Sequence, residues 1–250
     1  MYKYQYIHIM SINTNITEDD YKNGRAGMAY KKIINRIILV RHGETEANKE
    51  LMNNKDIGTH CLDTKLSECG KLQAHEISNF ISKIGLIPNL VLVSKLSRAY
   101  DTSKPTLNYL NSTGIEHELE ISEDWTEYNH KKTDTIHGIK TINILPWTYN
   151  KETKEEFILR ITNTFNKIKN LGSIEKPIQT LIFTHSQVIS VILAYCLKNN
   201  LTDNYNNINF HLANGSISCI DITEDNSFHI HTVNYTKHLS NPTGHHTPFV

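Results

Sequence analysis

The sequence carries no excess of either charge: its 250 residues hold 26 lysines and arginines against 26 aspartates and glutamates. A balanced chain sets up no broad field to hold a nucleic acid or an anionic membrane, so neither is expected as a partner, and any anion must be gripped locally. No apolar run approaches the roughly 20 residues that span a bilayer. The longest runs are strand-sized, such as Ile37-Ile38-Leu39-Val40 and Leu90-Val91-Leu92-Val93. The first 32 residues lack the compact apolar stretch of a secretory leader, and Glu18-Asp19-Asp20 argues against an acid-poor transit peptide. A soluble, cytoplasmic protein is expected. Cys61, Cys69, Cys196 and Cys219 are too scattered for a disulfide framework. His60 with Cys61 and Cys69 lacks the paired short spacings of a zinc site, so no metal is expected. There is no internal repeat.

What is present is an alternation of short apolar runs with stretches of helical period, which predicts a mostly parallel sheet covered by helices on both faces. Strands are expected at residues 37–40, 90–93, 116–121 and 180–183, with late strands at 217–220 and 228–233 paired as a hairpin. Helices are expected from Ser67 to about Ile84, from about Ser97 to Leu110, from about Thr153 to Lys169 and from Gln187 to Lys198. Residues 41–65 read as a polar loop, and residues 128–150 as a long functional loop or lid. The expected organisation is one domain over residues 35–236, an extension of uncertain order over 1–34, and a turn-rich tail over 237–250.

The chemistry is concentrated where strands end. Arg41-His42-Gly43 follows the first strand, Arg98 opens the helix after the second, and His185 follows the fourth core strand. In open parallel sheets ligands sit in the crevice at the carboxyl ends of the strands. Two guanidinium groups and two imidazoles meeting there would suit a dianion, since guanidinium donors match phosphate geometry and helix N-termini add free backbone N–H groups. Imidazole is also a competent nucleophile, so a histidine in such a pocket could carry a covalent intermediate.

The run Leu39-Val40-Arg41-His42-Gly43-Glu44-Thr45-Glu46-Ala47-Asn48 resembles the opening signature of the histidine phosphatase superfamily, branch 1, which includes the cofactor-dependent phosphoglycerate mutases. Asp63-Thr64-Lys65-Leu66-Ser67-Glu68-Cys69-Gly70, Ser94-Lys95-Leu96-Ser97-Arg98-Ala99, Ile182-Phe183-Thr184-His185-Ser186 and Leu212-Ala213-Asn214-Gly215-Ser216-Ile217 are similar to later segments of that family, in the same order. The resemblance implies a phosphoglycerate mutase-like fold, a three-layer α/β/α sandwich on a mixed, mainly parallel sheet. It implies that His42 is the nucleophile, that Arg41, Arg98 and His185 hold the phosphate, and that Asn48 adds a contact.

The same resemblance implies a carboxylic acid shortly after the third strand, for which Glu127 fits best and Glu123 second. Ser186 stands where members often carry glycine, and its N–H and hydroxyl remain available to phosphate. Mutases usually follow the acid with an Arg-His-Tyr-Gly type segment, whereas here Tyr128-Asn129-His130-Lys131 follows Glu127. Hydrolysis of a small-molecule or protein phosphate monoester is therefore the expected reaction, without metal or organic cofactor. The alternatives are mutase-type transfer and an inactive phosphoprotein-binding module. Neither the substrate nor the oligomeric state is written in the sequence.

Overall fold

The computed structural model describes residues 31–52, 63–128, 152–197 and 210–244. A six-stranded sheet runs in the order β3-β2-β4-β1-β5-β6. Its strands are β1 (Ile33–Arg41), β2 (Leu90–Ser94), β3 (Glu118–Ser122), β4 (Ile178–Thr184), β5 (Ile217–Thr223) and β6 (Phe228–Tyr235). The pairs β1·β4, β2·β4 and β2·β3 are parallel, while β5 runs antiparallel to both β1 and β6. The helices are α1 (Glu46–Met52), α2 (Glu68–Lys83), α3 (Ser97–Ser112), α4 (Lys154–Lys169) and α5 (Ser186–Leu197), with a short 3₁₀ turn at Glu123–Trp125. Among the described residues no helix is long and apolar enough to cross a membrane.

Strand side chains feed two cores because successive residues point to opposite faces. Leu39, Leu92 and Ile182 pack with Phe157, Ile161 and Phe165 of α4 and Val188 to Ala194 of α5. Val40, Val91, Val93 and Phe183 pack on the other face with Ile77 and Ile81 of α2 and Leu110 of α3. Truncating a fully buried member such as Leu39 to alanine should cost about 2–5 kcal/mol. Burial on both faces is why these strands read as continuous apolar runs.

Local signals start the helices. The Ser67 side chain accepts from Gly70 N–H at α2, and Thr153 with Glu156 forms a reciprocal capping box at α4. The hairpin between β5 and β6 turns through Asn226, at φ +62°, a left-handed conformation that asparagine tolerates.

Two departures from expectation have physical causes. β1 begins at Ile33, because the polar Asn35 and Arg36 are buried and satisfied within the sheet. Asn35 Nδ2 donates to the Ile168 carbonyl at 2.9 Å, and Arg36 forms paired 2.7 Å bonds to the Asp221 carboxylate. The segment read as a polar loop after β1 also contains α1, too short to carry a periodic signal. His60, Cys61 and most of the expected lid, residues 129–150, lie outside the described residues.

The chain leaves β1 toward α2 on one face and leaves the neighbouring β4 directly into α5 on the other. Connections that part in this way open a crevice between the two strand ends, the usual ligand position in such sheets.

Candidate active site

At that crevice β1 ends in Arg41-His42 and β4 in Thr184-His185. The main chains are tied together there, His42 N–H donating to the Thr184 carbonyl at 2.9 Å and Gly215 N–H to the His42 carbonyl at 3.0 Å. The imidazoles of His42 and His185 are buried, their centroids 5.2 Å apart at an interplanar angle of 57°.

His42 Nδ1 lies 2.7 Å from the Gly43 carbonyl. A carbonyl can only accept, so Nδ1 carries the hydrogen and Nε2 keeps its lone pair. Burial, reinforced by the charges of Arg98 and Arg41, holds the His42 pKa well below its ordinary 6.5. The ring is a neutral base near neutral pH. Burial and the neighbouring Arg98, His42 and Arg41 lower His185 in the same way.

The Arg41 and Arg98 side chains complete the positive lining. Burial lowers Arg41 to about 10, opposed by Glu127, and it stays cationic. Its Nη1 donates to the Leu212 carbonyl, while its Nε is buried without a partner among the described residues. Arg98, in the first turn of α3, is buried, with Nη1 3.8 Å from the Asp63 carboxylate. That carboxylate also caps α3 by accepting from Ser97 N–H and Oγ at 2.8 and 2.7 Å.

Glu127 approaches from the loop after the 3₁₀ turn. Its carboxylate accepts from Tyr128 N–H at 3.2 Å and from Gln187 N–H, in the first turn of α5, at 3.3 Å. Burial raises its pKa above the ordinary 4.5, against the pull of Arg98, those two N–H groups and Arg41. The site thus holds a neutral base, cationic donors and a carboxyl whose pKa burial raises.

A family model described as the histidine phosphatase superfamily (branch 1) matches residues 37–236. The chain belongs to that superfamily. Curated relatives include the 2,3-bisphosphoglycerate-dependent phosphoglycerate mutase of Hamiltonella defensa, 33% identical over 106 residues that cover 42% of this chain and 39% of the relative. The corresponding mutase of Parvibaculum lavamentivorans is 37% identical over 82 residues, covering 33% and 37%. The chain therefore matches less than half the length of either mutase. Among solved structures, phosphoserine phosphatase from Entamoeba histolytica in complex with 3-phosphoglyceric acid superposes with a TM-score of 0.58 at 19% identity, covering 82% of this chain and 100% of that one. Mycobacterial glucosyl-3-phosphoglycerate phosphatase gives 0.56 at 18%, covering 80% and 99%. These likenesses show a shared fold.

In this histidine phosphatase superfamily member, the structure gathers the site residues expected from sequence at one strand edge. Asn48 lies in α1, its amide oxygen accepting from Thr45 Oγ1 at 3.0 Å and from Asn214 Nδ2 at 3.0 Å. Ser186 opens α5 immediately after His185. Glu123, the second candidate acid, is exposed and pairs with Lys95 at 2.8 Å, whereas Arg98 and Arg41 act on Glu127.

Several supports were not singled out from sequence. Asn214 bridges Asn48 to the His42 and Gly43 carbonyls, at 3.3 and 3.4 Å. Thr102 Oγ1 accepts from Gly43 N–H at 2.9 Å, and Gln73 Oε1 from Glu44 N–H at 2.8 Å. All three lie within or beside the motif segments, so a signal existed for them. Arg160 had none, being one more arginine on an amphipathic helix. It nonetheless donates to the Asp124 carbonyl at 2.8 Å and to the Thr126 carbonyl at 3.2 Å, and pairs with Glu152 at 2.5 Å, holding the chain on which Glu127 sits.

Proposed function

We propose that this protein hydrolyses phosphate monoesters through a phosphohistidine formed at His42. The observation that carries the reading is the neutral His42 ring, pinned at Nδ1 to the Gly43 carbonyl and set beside Arg41, Arg98 and His185. A pair of guanidinium groups, Arg98 buried and Arg41 half-buried, next to a free imidazole lone pair suits a dianion that is to be attacked at phosphorus.

In the first step His42 Nε2 attacks phosphorus and a P–N bond forms as the ester P–O bond breaks. The leaving oxygen takes a proton from Glu127, whose raised pKa keeps that proton available. In the second step Glu127, now a carboxylate, takes a proton from water as its oxygen attacks phosphorus. The P–N bond breaks, inorganic phosphate leaves, and both side chains return to their starting states. Arg41, Arg98, His185, the Asn48 amide and the N–H of Ser186 stabilise the equatorial oxygens throughout.

Hydrolysis is favoured over transfer back to the product because Tyr128-Asn129-His130-Lys131 replaces the Arg-His-Tyr-Gly type segment of the mutases. The mutase names of the curated relatives favour the rival reading. Incubation with a panel of phosphate monoesters, and with 3-phosphoglycerate plus its bisphosphate primer, separates the two. Release of inorganic phosphate, with an acid-labile phosphoenzyme on wild type and none on His42→Ala, is the expected result. Isomerised phosphoglycerate without free phosphate would establish a mutase, and phosphopeptide binding without turnover a recognition module.

A further inference from the structure

His185 has two ring nitrogens in different circumstances. Nε2 lies 2.7 Å from Ser94 Oγ, at the carboxyl end of β2. Nδ1 is buried without a hydrogen-bond partner among the described residues. Ser94 is itself fully buried, and its Oγ already accepts from Leu96 N–H at 3.3 Å. If His185 Nε2 were the donor, the Ser94 hydroxyl hydrogen would have no acceptor among the described residues. The unpartnered Nδ1 would then present a lone pair to an incoming anion. If Ser94 donates instead, its hydroxyl is satisfied in both directions and Nδ1 carries a hydrogen that no described residue accepts and that a guest can.

We infer that Ser94 is a positioning residue that selects the Nδ1–H tautomer of His185 and so turns that ring into a neutral hydrogen-bond donor for the phosphoryl group. The inference rests on the proposed phosphate site and adds to it a division of labour between two identical side chains. His42 is held in the same tautomer by the Gly43 carbonyl, which consumes its hydrogen and leaves a lone pair free. His185 is held by a hydroxyl hydrogen, which consumes its lone pair and leaves a hydrogen free. One carbonyl and one hydroxyl thereby make one imidazole a nucleophile and its neighbour a donor. The low basicity of both rings keeps them neutral, which is the condition under which a tautomer choice has consequences.

The test is NMR of isotope-labelled imidazole nitrogens in the full-length protein, with His185 assigned by comparison with His185→Gln and inorganic phosphate as the probe. Wild type is expected to show His185 with its hydrogen on Nδ1, and added phosphate should move that nitrogen's resonance. Ser94→Ala, checked for folding by circular dichroism, should move the hydrogen toward Nε2 and weaken phosphate binding by about tenfold to a hundredfold, as for a lost hydrogen bond to a charged group. Ser94→Thr should restore both. A wild-type His185 with its hydrogen on Nε2 overturns the proposal by itself, whether or not the variants fold. So does a folded Ser94→Ala protein that keeps the Nδ1–H tautomer and full phosphate affinity. None of these readouts needs turnover: a protein with the expected tautomer and phosphate response that hydrolyses nothing would remove the phosphatase reading and leave this one standing.

Discussion

His42 and His185 sit 5.2 Å apart, yet they reach that distance from strands separated by more than a hundred residues of chain. The connection is made by β1 and β4 running parallel in register, with Arg41 opposite Thr184, so that the residue after each strand emerges at the same edge. The neutral state of both rings depends on this meeting, because each is held down by burial and by the same two arginines.

Replacing Glu127 by glutamine should lower kcat by about a hundredfold to ten-thousandfold on alkyl phosphates, whose alkoxide leaving groups need a proton. The loss in phosphoenzyme formation should shrink sharply on an aryl phosphate with an acidic phenol, while kcat stays low because the second step still lacks its base. Pre-steady-state kinetics would separate the two steps, with fast phosphoenzyme formation and slow breakdown expected on the aryl substrate. Equal losses on both substrate types in phosphoenzyme formation would remove Glu127 from the acid role.

Arg160→Met keeps an apolar stem near the Phe157 ring, 5.2 Å from the native guanidinium, but removes the donors to the Asp124 and Thr126 carbonyls. The expected result is a roughly tenfold fall in kcat on alkyl phosphates with KM little changed, since the phosphate cradle is untouched. If Arg160 acts through Glu127, the two substitutions should not add, and Arg160→Met in the Glu127→Gln background should cost little more. Full additivity would separate the arginine from the acid.

Acid stability should carry a histidine signature. Burial pulls His238 down from its ordinary 6.5 to about 4, against the bond to the Gly215 carbonyl that raises it. The unfolded chain therefore takes up this proton before the folded one does. The contribution of His238 is whole above pH 6.5 and is lost as pH falls from 6.5 to about 4. His42 and His185, also lowered, act in the same direction. Urea midpoints measured across that window should fall with pH, and His238→Gln should flatten the slope.

Gly70→Ala should be destabilising by about 1–3 kcal/mol and should also impair phosphate binding. A methyl group there would lie 1.9 Å from the Glu44 carbonyl oxygen, a backbone atom of the turn that carries His42, so either α2 or that turn must shift. A denaturant midpoint paired with a KM measurement checks both halves; an unchanged KM in a destabilised protein would mean that α2 yields and the turn does not.

The strands and helices of the core were readable because they obey local rules. Val40, Val91, Val93 and Phe183 lie in uninterrupted apolar runs, and Phe157, Ile161 and Phe165 keep helical spacing, since each must bury one face whatever its neighbours. The late hairpin was equally plain, two apolar runs around Asp225-Asn226. The start of β1 was hidden because Asn35 and Arg36 are polar residues that become strand residues only when Ile168, Thr180 and Asp221 arrive to satisfy them. Arg160 was silent for a related reason: beside Glu152 its partners are the Asp124 and Thr126 carbonyls, and a carbonyl has no sequence identity.

Taken alone, the order of residues specified which side chains stand at strand ends and hence the chemical inventory: two imidazoles, two guanidinium groups and a choice of glutamates. It left open which glutamate joins them, which nitrogen of each ring is free, and whether any of these groups is charged. Those outcomes belong to folding. Solvation, dielectric surroundings and hydrogen-bond partners are properties of the space around a side chain, and that space exists only after β1, β2 and β4 have been laid side by side.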